Sequence, residues 1–240
     1  MHSTQTIAVI PARAGSKGIP NKNILKIRQK TLIEIAIQQA KRIKKIDQII
    51  FSSDSSRYCR IAEKVGANVL GKRPSELSKD TTKTVEVLFD IVKYFSKLDT
   101  ILLLQPTAPV RSVKDIEKAL DFSIKNNKTV ISMSKVEEPH PTKMFLIRNS
   151  NNELRPFVES NKFNAEMPRQ KLPPVYMLNG AFYCINVKEM LKNKKIISNN
   201  SVAQITKMYP NIDTLDDFHY INWMIESGKE LPEDFLRIIS

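Results

Sequence analysis

Cysteine is scarce. Cys59 and Cys184 are the only two, they lie far apart, and there is no Cys-x-x-Cys. This argues against a disulfide framework and leaves buried or idle thiols in a reducing cytoplasm as the expected state. His2, His140 and His219 share no ligand spacing, so no zinc site is expected. No apolar run approaches the roughly 20 residues of a membrane span. Thr6 to Ile10 is too short for the apolar region of a secretory leader. A cytoplasmic, soluble chain that avoids the membrane is therefore expected. Two nucleotide-loop signatures are missing as well: Gly-x-x-x-x-Gly-Lys-Ser/Thr and Gly-x-Gly-x-x-Gly. There is no internal repeat and no low-complexity segment.

Acidic residues are in deficit, leaving a net charge of +13. Such a balance suits nucleic acid, an anionic surface or a polyanionic small substrate. The lysines are spread along helical stretches, as at Lys41, Lys44 and Lys45 or Lys192, Lys194 and Lys195. No aromatic residues interleave with them as a stacking platform would require, so nucleic acid is not the expected partner. With 240 residues, 41% hydrophobic and 26% charged, the chain can bury one large core, with room for a subdomain.

The informative cations sit in loops. Residues 7–23 read Ile-Ala-Val-Ile-Pro-Ala-Arg-Ala-Gly-Ser-Lys-Gly-Ile-Pro-Asn-Lys-Asn. The first four form a short apolar run expected to be a buried strand. The loop that follows carries Arg13, Lys17 and Lys22. Open α/β sheets bind ligands where loops leave the carboxyl ends of strands. Gly15 and Gly18 allow backbone N–H groups to approach an anion. Arg13 can grip phosphate oxygens bidentately and the lysines add point charge. The loop reads as a triphosphate cradle; the plain alternative is a surface turn with solvated cations.

A helix follows over Thr31–Ile43, capped by Thr31, then a strand at Gln48–Phe51. A helix from Ser55 to Val65 ends at Gly66, and Asn68–Leu70 is a third strand. This alternation predicts right-handed crossovers and a parallel sheet. The loop 72–82 holds Arg73 and leads into a helix with Val85, Leu88, Ile91 and Val92 on one side. Thr84, near its start, either caps the helix or contacts a nucleotide, with capping the simpler reading. Thr100–Leu104 is a central strand running into Gln105-Pro106-Thr107-Ala108-Pro109-Val110-Arg111-Ser112. Gln105, at the strand's carboxyl end, can read a base or sugar edge, or be an ordinary loop amide. Ser112 caps the next helix, and Thr129–Met133 is another strand.

From Ser134 to Val175 the chain becomes irregular and proline-rich, with short strand-like pieces such as Met144–Ile147. So long a loop is unusual inside a compact domain, so 134–175 reads as an inserted arm for dimer contact or site closure. Lys143 and Arg169 within it are candidates for a substrate carboxylate, or plain surface charge. Asn179–Ile185 returns to the sheet, 187–193 is a short helix, and Gln204–Tyr209 is a final strand. Asp213, between that strand and the last long helix, can hold magnesium through oxygen or cap the helix with Thr214. Asp216 and Asp217 suit the helix dipole. The tail from Gly228 reads as a short amphipathic cap.

Taken together, these pieces resemble the acylneuraminate cytidylyltransferases, the CMP-sialic acid synthetases and their bacterial relatives. The matching residues are Ala12-Arg13-Ala14-Gly15-Ser16-Lys17-Gly18 with Lys22-Asn23, Arg73-Pro74-Ser75-Glu76-Leu77 with Asp80-Thr81, and Gln105-Pro106-Thr107-Ala108-Pro109 with Arg111. His140-Pro141 with Lys143, Pro168-Arg169-Gln170, Asn179-Gly180-Ala181 with Tyr183, and Ile212-Asp213-Thr214 follow in family order. The resemblance implies one α/β domain over 1–240: a Rossmann-like, mostly parallel sheet flanked by helices, of nucleotidyltransferase type, with an inserted dimerisation arm. It implies a homodimer that joins CTP to a nonulosonic acid, releases pyrophosphate and requires Mg2+. By position, Arg13, Ser16, Lys17, Lys22 and Asn23 would bind the CTP phosphates and ribose. Arg73, Thr84 and the Ala12 backbone would address the cytosine side. Gln105 and Tyr183 would line the sugar pocket, with Lys143 and Arg169 arriving from the partner's arm.

In-line attack of an anomeric hydroxyl on the α-phosphate needs positioning and charge neutralisation more than a covalent nucleophile. Arg13, Lys17 and the metal at Asp213 would supply it. No side chain stands out as general base, which leaves deprotonation to metal assistance. Many members of the family carry Asp-x-Asp at the metal position, whereas this chain has Asn211 and Asp213. Asn can ligate through its carbonyl oxygen but adds no charge, which leaves one or two metal ions open, with weaker affinity or more ligands from the triphosphate as the two consequences. The Lys/Ile-rich composition suggests an AT-rich bacterial genome, where legionaminic and pseudaminic acids are common surface sugars. The alternatives are CMP transfer to the eight-carbon acid Kdo, whose enzymes usually carry Arg-Leu-Pro-Gly-Lys in the first loop, a nucleotide sensor without turnover, and a nucleic-acid-binding protein.

Overall fold

The computed structural model describes residues 5–15, 18–148, 151–160 and 162–240. The first strand, β1 (Thr6–Pro11), is buried over its first five residues. A small ribbon of β2 (Lys26–Ile27) and β3 (Lys30–Thr31) leads into helix α1 (Leu32–Lys41). Thr31 caps α1 as the sequence predicts: its Oγ1 accepts from the Glu34 N–H while the Glu34 carboxylate accepts from the Thr31 N–H. Then come β4 (Gln48–Ser52), α2 (Ser56–Lys64), capped by Ser55, β5 (Asn68–Val69), α3 (Thr84–Val92) and β6 (Thr100–Leu103). Helix α4 (Val113–Asn126), capped by Ser112, and β7 (Val130–Lys135) follow.

The chain then leaves the sheet for about forty residues. Within that segment β8 (Phe145–Arg148) and β9 (Glu153–Pro156) pair as an exposed antiparallel hairpin. It returns as β10 (Tyr176–Asn186), followed by α5 (Val187–Asn193), β11 (Val202–Ile205), α6 (Leu215–Glu226) and α7 (Glu233–Ile239).

Seven strands form one sheet in the order β11-β7-β10-β6-β1-β4-β5. All neighbours are parallel except β10, which runs antiparallel to both β6 and β7. The α/β expectation of a mostly parallel sheet holds. β10 can be antiparallel because the excursion before it brings the chain back from the carboxyl edge, so no crossover helix is needed. One face buries Ile33, Ala36 and Ile37 of α1, Tyr58 and Ala62 of α2 and Ile116 and Leu120 of α4. The other buries Val87, Leu88 and Ile91 of α3 and Val187 and Met190 of α5. A third cluster joins α1, α6 and α7 through Leu32, Ile35, Ile221 and Phe235, and it also takes in Ile19 and Ile212. The tail after Gly228 thus docks onto α1 and shields it.

Two local expectations are corrected. The last strand lies at Val202–Ile205 rather than 204–209. Beyond Ile205 the Thr206 N–H still reaches the Met133 carbonyl at 2.8 Å, but side chains then replace the ladder. The Ser134 hydroxyl donates to the Thr206 carbonyl and the Asn179 amide to its hydroxyl. The chain turns outward, and Met208 and Tyr209 join no strand. Thr84, in turn, does not cap α3. It is the first helical residue, and Glu86 closes the helix start by accepting the Lys83 N–H at 2.9 Å.

Candidate active site

Strands β1, β4 and β6 end at one edge, and the segment Asn179–Ala181 of the antiparallel β10 begins there too. The loops leaving this edge converge. Ala12 is buried, and its N–H donates to the Ser52 carbonyl at 2.9 Å, so the first loop stays attached to the end of β4. The Ala14 N–H donates to the Asp54 carboxylate at 2.9 Å. Asn23 is buried and donates its side-chain amide to the Arg13 carbonyl at 3.0 Å. Three anchors therefore shape the loop before any ligand is considered. Ser16 and Lys17 lie outside the described residues.

A cavity of about 190 Å³ opens between this loop and the 72–82 loop. Arg13, Arg73, Asp80, Thr84 and Gln105 line it, with Val87 as an apolar floor. The Arg13 guanidinium forms an ion pair with Asp80 across its mouth, both side chains about a third exposed. Arg73 is buried beneath. Its Nε donates to the Ser52 hydroxyl at 3.0 Å and a second guanidinium nitrogen donates to the Ser52 carbonyl. Burial pushes the pKa of Arg73 below the usual arginine range, while the Asp54 carboxylate works the other way. A broader hollow of about 720 Å³, lined by Asp99, Asn127, Lys188 and Lys192, lies at the opposite edge of the sheet. None of the candidate residues touches it, so we place the site at the smaller cavity.

The segment 210–213 meets the first loop. Lys22 donates to the Asp213 carboxylate at 2.8 Å, and the Asp213 side chain is 74% exposed. A Cβ on Gly18 would stand 2.7 Å from the Asp213 carbonyl oxygen, so only glycine permits this approach of loop to segment. Asn211 packs against Gly180, and its Oδ1 is buried without a partner. Thr214 caps α6 in a reciprocal box with Asp217, which leaves the Asp213 carboxylate out of that cap. Magnesium prefers oxygen ligands and keeps few from protein. One exposed carboxylate beside a cationic loop fits an ion completed by substrate phosphates, and the unpartnered Asn211 oxygen is a neutral addition. Among the described residues no group of three or more acidic, histidine or cysteine side chains could hold an ion unaided.

A match to the family model described as Cytidylyltransferase covers residues 7–214. The chain belongs to the cytidylyltransferase family. Among its relatives, CMP-N,N'-diacetyllegionaminic acid synthase of Legionella pneumophila is 30% identical over 237 residues, covering 93% of this chain and 97% of that protein. N-acylneuraminate cytidylyltransferase of Streptococcus agalactiae serotype V is 32% identical, covering 90% of this chain and 52% of that longer protein. Among solved structures, CMP:2-keto-3-deoxy-manno-octonic acid synthetase complexed with CTP superposes with a TM-score of 0.68 at 16% identity. It covers 94% of this chain and 100% of that one, a likeness of fold.

The cytidylyltransferase fold brings Arg13, Arg73, Thr84 and Gln105 to one cavity, while Lys22 pairs with Asp213 and Asn211 packs against Gly180 outside its lining. Tyr183 does not line the cavity. It is half-buried in the cluster beneath α3 that includes Val87, and burial raises its hydroxyl pKa. Lys143 and Arg169 stand on the excursion, both exposed; Arg169 lies 3.5 Å from Glu138. Neither lines the cavity. Sequence reasoning missed the structural roles of Ser52, Asp54 and Asp80. For Ser52 and Asp54 only their position at a strand end was available, and for Asp80 its place in a loop that also carries Lys72, Arg73 and Lys79.

Proposed function

We propose that this cytidylyltransferase transfers CMP from CTP to the anomeric hydroxyl of a nonulosonic acid. The carrying observation is the convergence of Arg13, Arg73, Lys22 and Asp213 on one strand edge, in a chain aligned over nearly its full length with a CMP-diacetyllegionaminic acid synthase. The sugar oxygen attacks the α-phosphorus, a new P–O bond forms, the α–β bridge breaks, and pyrophosphate leaves with the displaced electron pair. Arg13 exchanges Asp80 for phosphate oxygens, and Lys22 adds charge beside the leaving group. Arg73 and Thr84 face the base, and Gln105 faces the sugar. Asp213, with Asn211 in support, would hold magnesium, which would supply charge neutralisation at the phosphates and lower the pKa of the sugar hydroxyl. Lys17 and Ser16, outside the described residues, are assigned to the phosphates by their place in the loop sequence.

The working unit is a homodimer in the cytoplasm. The exposed hairpin β8–β9 gives each protomer an arm for its partner, carrying Lys143 and Arg169 to a site they do not reach within their own chain. Relatives act on legionaminic and neuraminic acids by name, and either fits the same chemistry. The test is pyrophosphate release with CTP, magnesium and N-acetylneuraminic, legionaminic, pseudaminic or Kdo acid in turn. Release with a nine-carbon acid is expected. Release with Kdo alone would overturn the proposal, as would CTP binding without turnover across the whole panel.

A further inference from the structure

The turn 105–111 follows β6 with Gln105 lining the cavity, and its carbonyl groups have no sheet partner. Arg111, 2% exposed, is the largest side chain in the described interior. Its Nε donates to the Ala108 carbonyl at 2.8 Å. One terminal nitrogen donates to the carbonyls of both Ala108 and Gln105. The other is buried without a partner. From the opposite side the buried Gln39 amide donates to the Pro109 carbonyl at 2.8 Å.

A buried cation facing only carbonyls is costly, and an aliphatic side chain would fill the same space more cheaply. Burial lowers the Arg111 pKa to about 9, still above neutrality, so the charge persists at pH 7. What the guanidinium holds gives it a reason to be there. One end of the turn is Gln105, which lines the cavity. In the middle the Thr107 carbonyl accepts the Ile212 N–H at 2.7 Å. Ile212 is fully buried between Asn211 and Asp213, and Asp213 reaches Lys22. A single buried side chain therefore fastens the backbone that presents two sides of the site.

We propose that Arg111 is a positioning residue that sets Gln105 and Asp213 together, through the 105–111 turn and its bond to Ile212. It touches no substrate. The proposal rests on the reading of Asp213 as metal carboxylate and Gln105 as sugar contact. Arg73 and Arg13, anchored on Ser52 and paired with Asp80, lie outside this connection, so the contacts of these two side chains are left in place.

The experiment compares Arg111→Lys, Arg111→Met and Asp213→Ala with the unaltered chain. Manganese binding to the protein–CTP complex is titrated by electron paramagnetic resonance. KM for the sugar acid and for CTP are measured separately, and thermal midpoints are recorded. A lysine keeps the charge and can satisfy one carbonyl where the guanidinium satisfies two, so Arg111→Lys is expected to fold, with its thermal midpoint as the check. It is expected to weaken manganese binding and raise the sugar-acid KM by about tenfold or more, with a smaller rise in the CTP KM through the shared metal and Lys22. Arg111→Met is expected to do the same more strongly, or to lose its fold, in which case the lysine variant decides.

Unchanged manganese binding and sugar-acid KM in a folded Arg111→Lys would overturn the proposal. So would an equal rise in both KM values that follows the thermal midpoint, the mark of a merely structural role. If Asp213→Ala itself leaves manganese binding intact, the metal reading fails, and Arg111 stands or falls on the sugar-acid KM. If Asp213→Ala weakens binding and Arg111→Lys does not, the Arg111 proposal fails alone.

Discussion

Gly18 has no room for a side chain. A methyl group there would stand 2.7 Å from a backbone oxygen of Asp213, and that oxygen cannot swing away as a flexible side chain could. Gly18→Ala should therefore push the cationic loop off the 210–213 segment. A displacement near 1 Å costs on the order of 10- to 100-fold in turnover. Steady-state kinetics should show that loss in kcat/KM with little change in thermal midpoint, since the contact is at the surface edge. Arg13 presents the opposite case. Its pairing with Asp80 is about a third exposed and contributes little to stability. Arg13→Ala should leave the midpoint almost unchanged and weaken CTP binding by about 1.5–3 kcal/mol, read by calorimetric titration. Arg13, Arg73 and Gln105 could be placed from sequence because each follows a strand whose carboxyl end sets its position. Asp54 and Ser52 could not be, because Asp54 meets a backbone N–H of the first loop and Ser52 holds a guanidinium 21 residues on, and their position at a strand end does not name either partner. Nothing in a side-chain pattern announces such a partner.

At the scale of elements, strands β1, β4 and β6 and helices α1, α2 and α4 fall where the apolar spacing predicts, since burial on one helical stripe or both strand faces leaves an unambiguous pattern. The misplaced element is β11, whose four residues have weak alternation of their own. Its end is decided by Ser134 and Asn179, which divert Thr206 from the ladder. The cap of α1 offers a clean check on the local account. Thr31→Ala removes the acceptor for the Glu34 N–H, and chemical denaturation should show a loss of about 1 kcal/mol. The tail is read as more than an ornament, because Phe235 is fully buried against α1 and α6. Phe235→Ala should cost about 3–5 kcal/mol by the same measurement. Ile212 shares that cluster, so activity should fall with it through loosening of the Asp213 segment.

For the whole molecule, the question is where Lys143 and Arg169 act. Both are exposed, neither lines the cavity, and the hairpin between them presents Leu146, Ile147, Leu154 and Phe157 to solvent. Apolar side chains gathered on an arm call for a cover, and in a two-fold dimer each arm can be covered by the partner while its cations enter the partner's site. If so, a lesion on the arm and a lesion in the cavity damage different sites. Arg13→Ala and the double variant Lys143→Ala, Arg169→Ala should each be nearly inactive as purified dimers. Mixed under conditions of subunit exchange, half of the dimers become mixed, and each mixed dimer regains one intact site. Activity should then return to about a quarter of the unaltered level per site. Native mass spectrometry would establish that exchange has occurred. No recovery in a sample shown to contain mixed dimers would mean that these cations serve their own chain or no site at all. A monomeric mass for the unaltered protein at assay concentration would remove the partner's arm from the mechanism altogether.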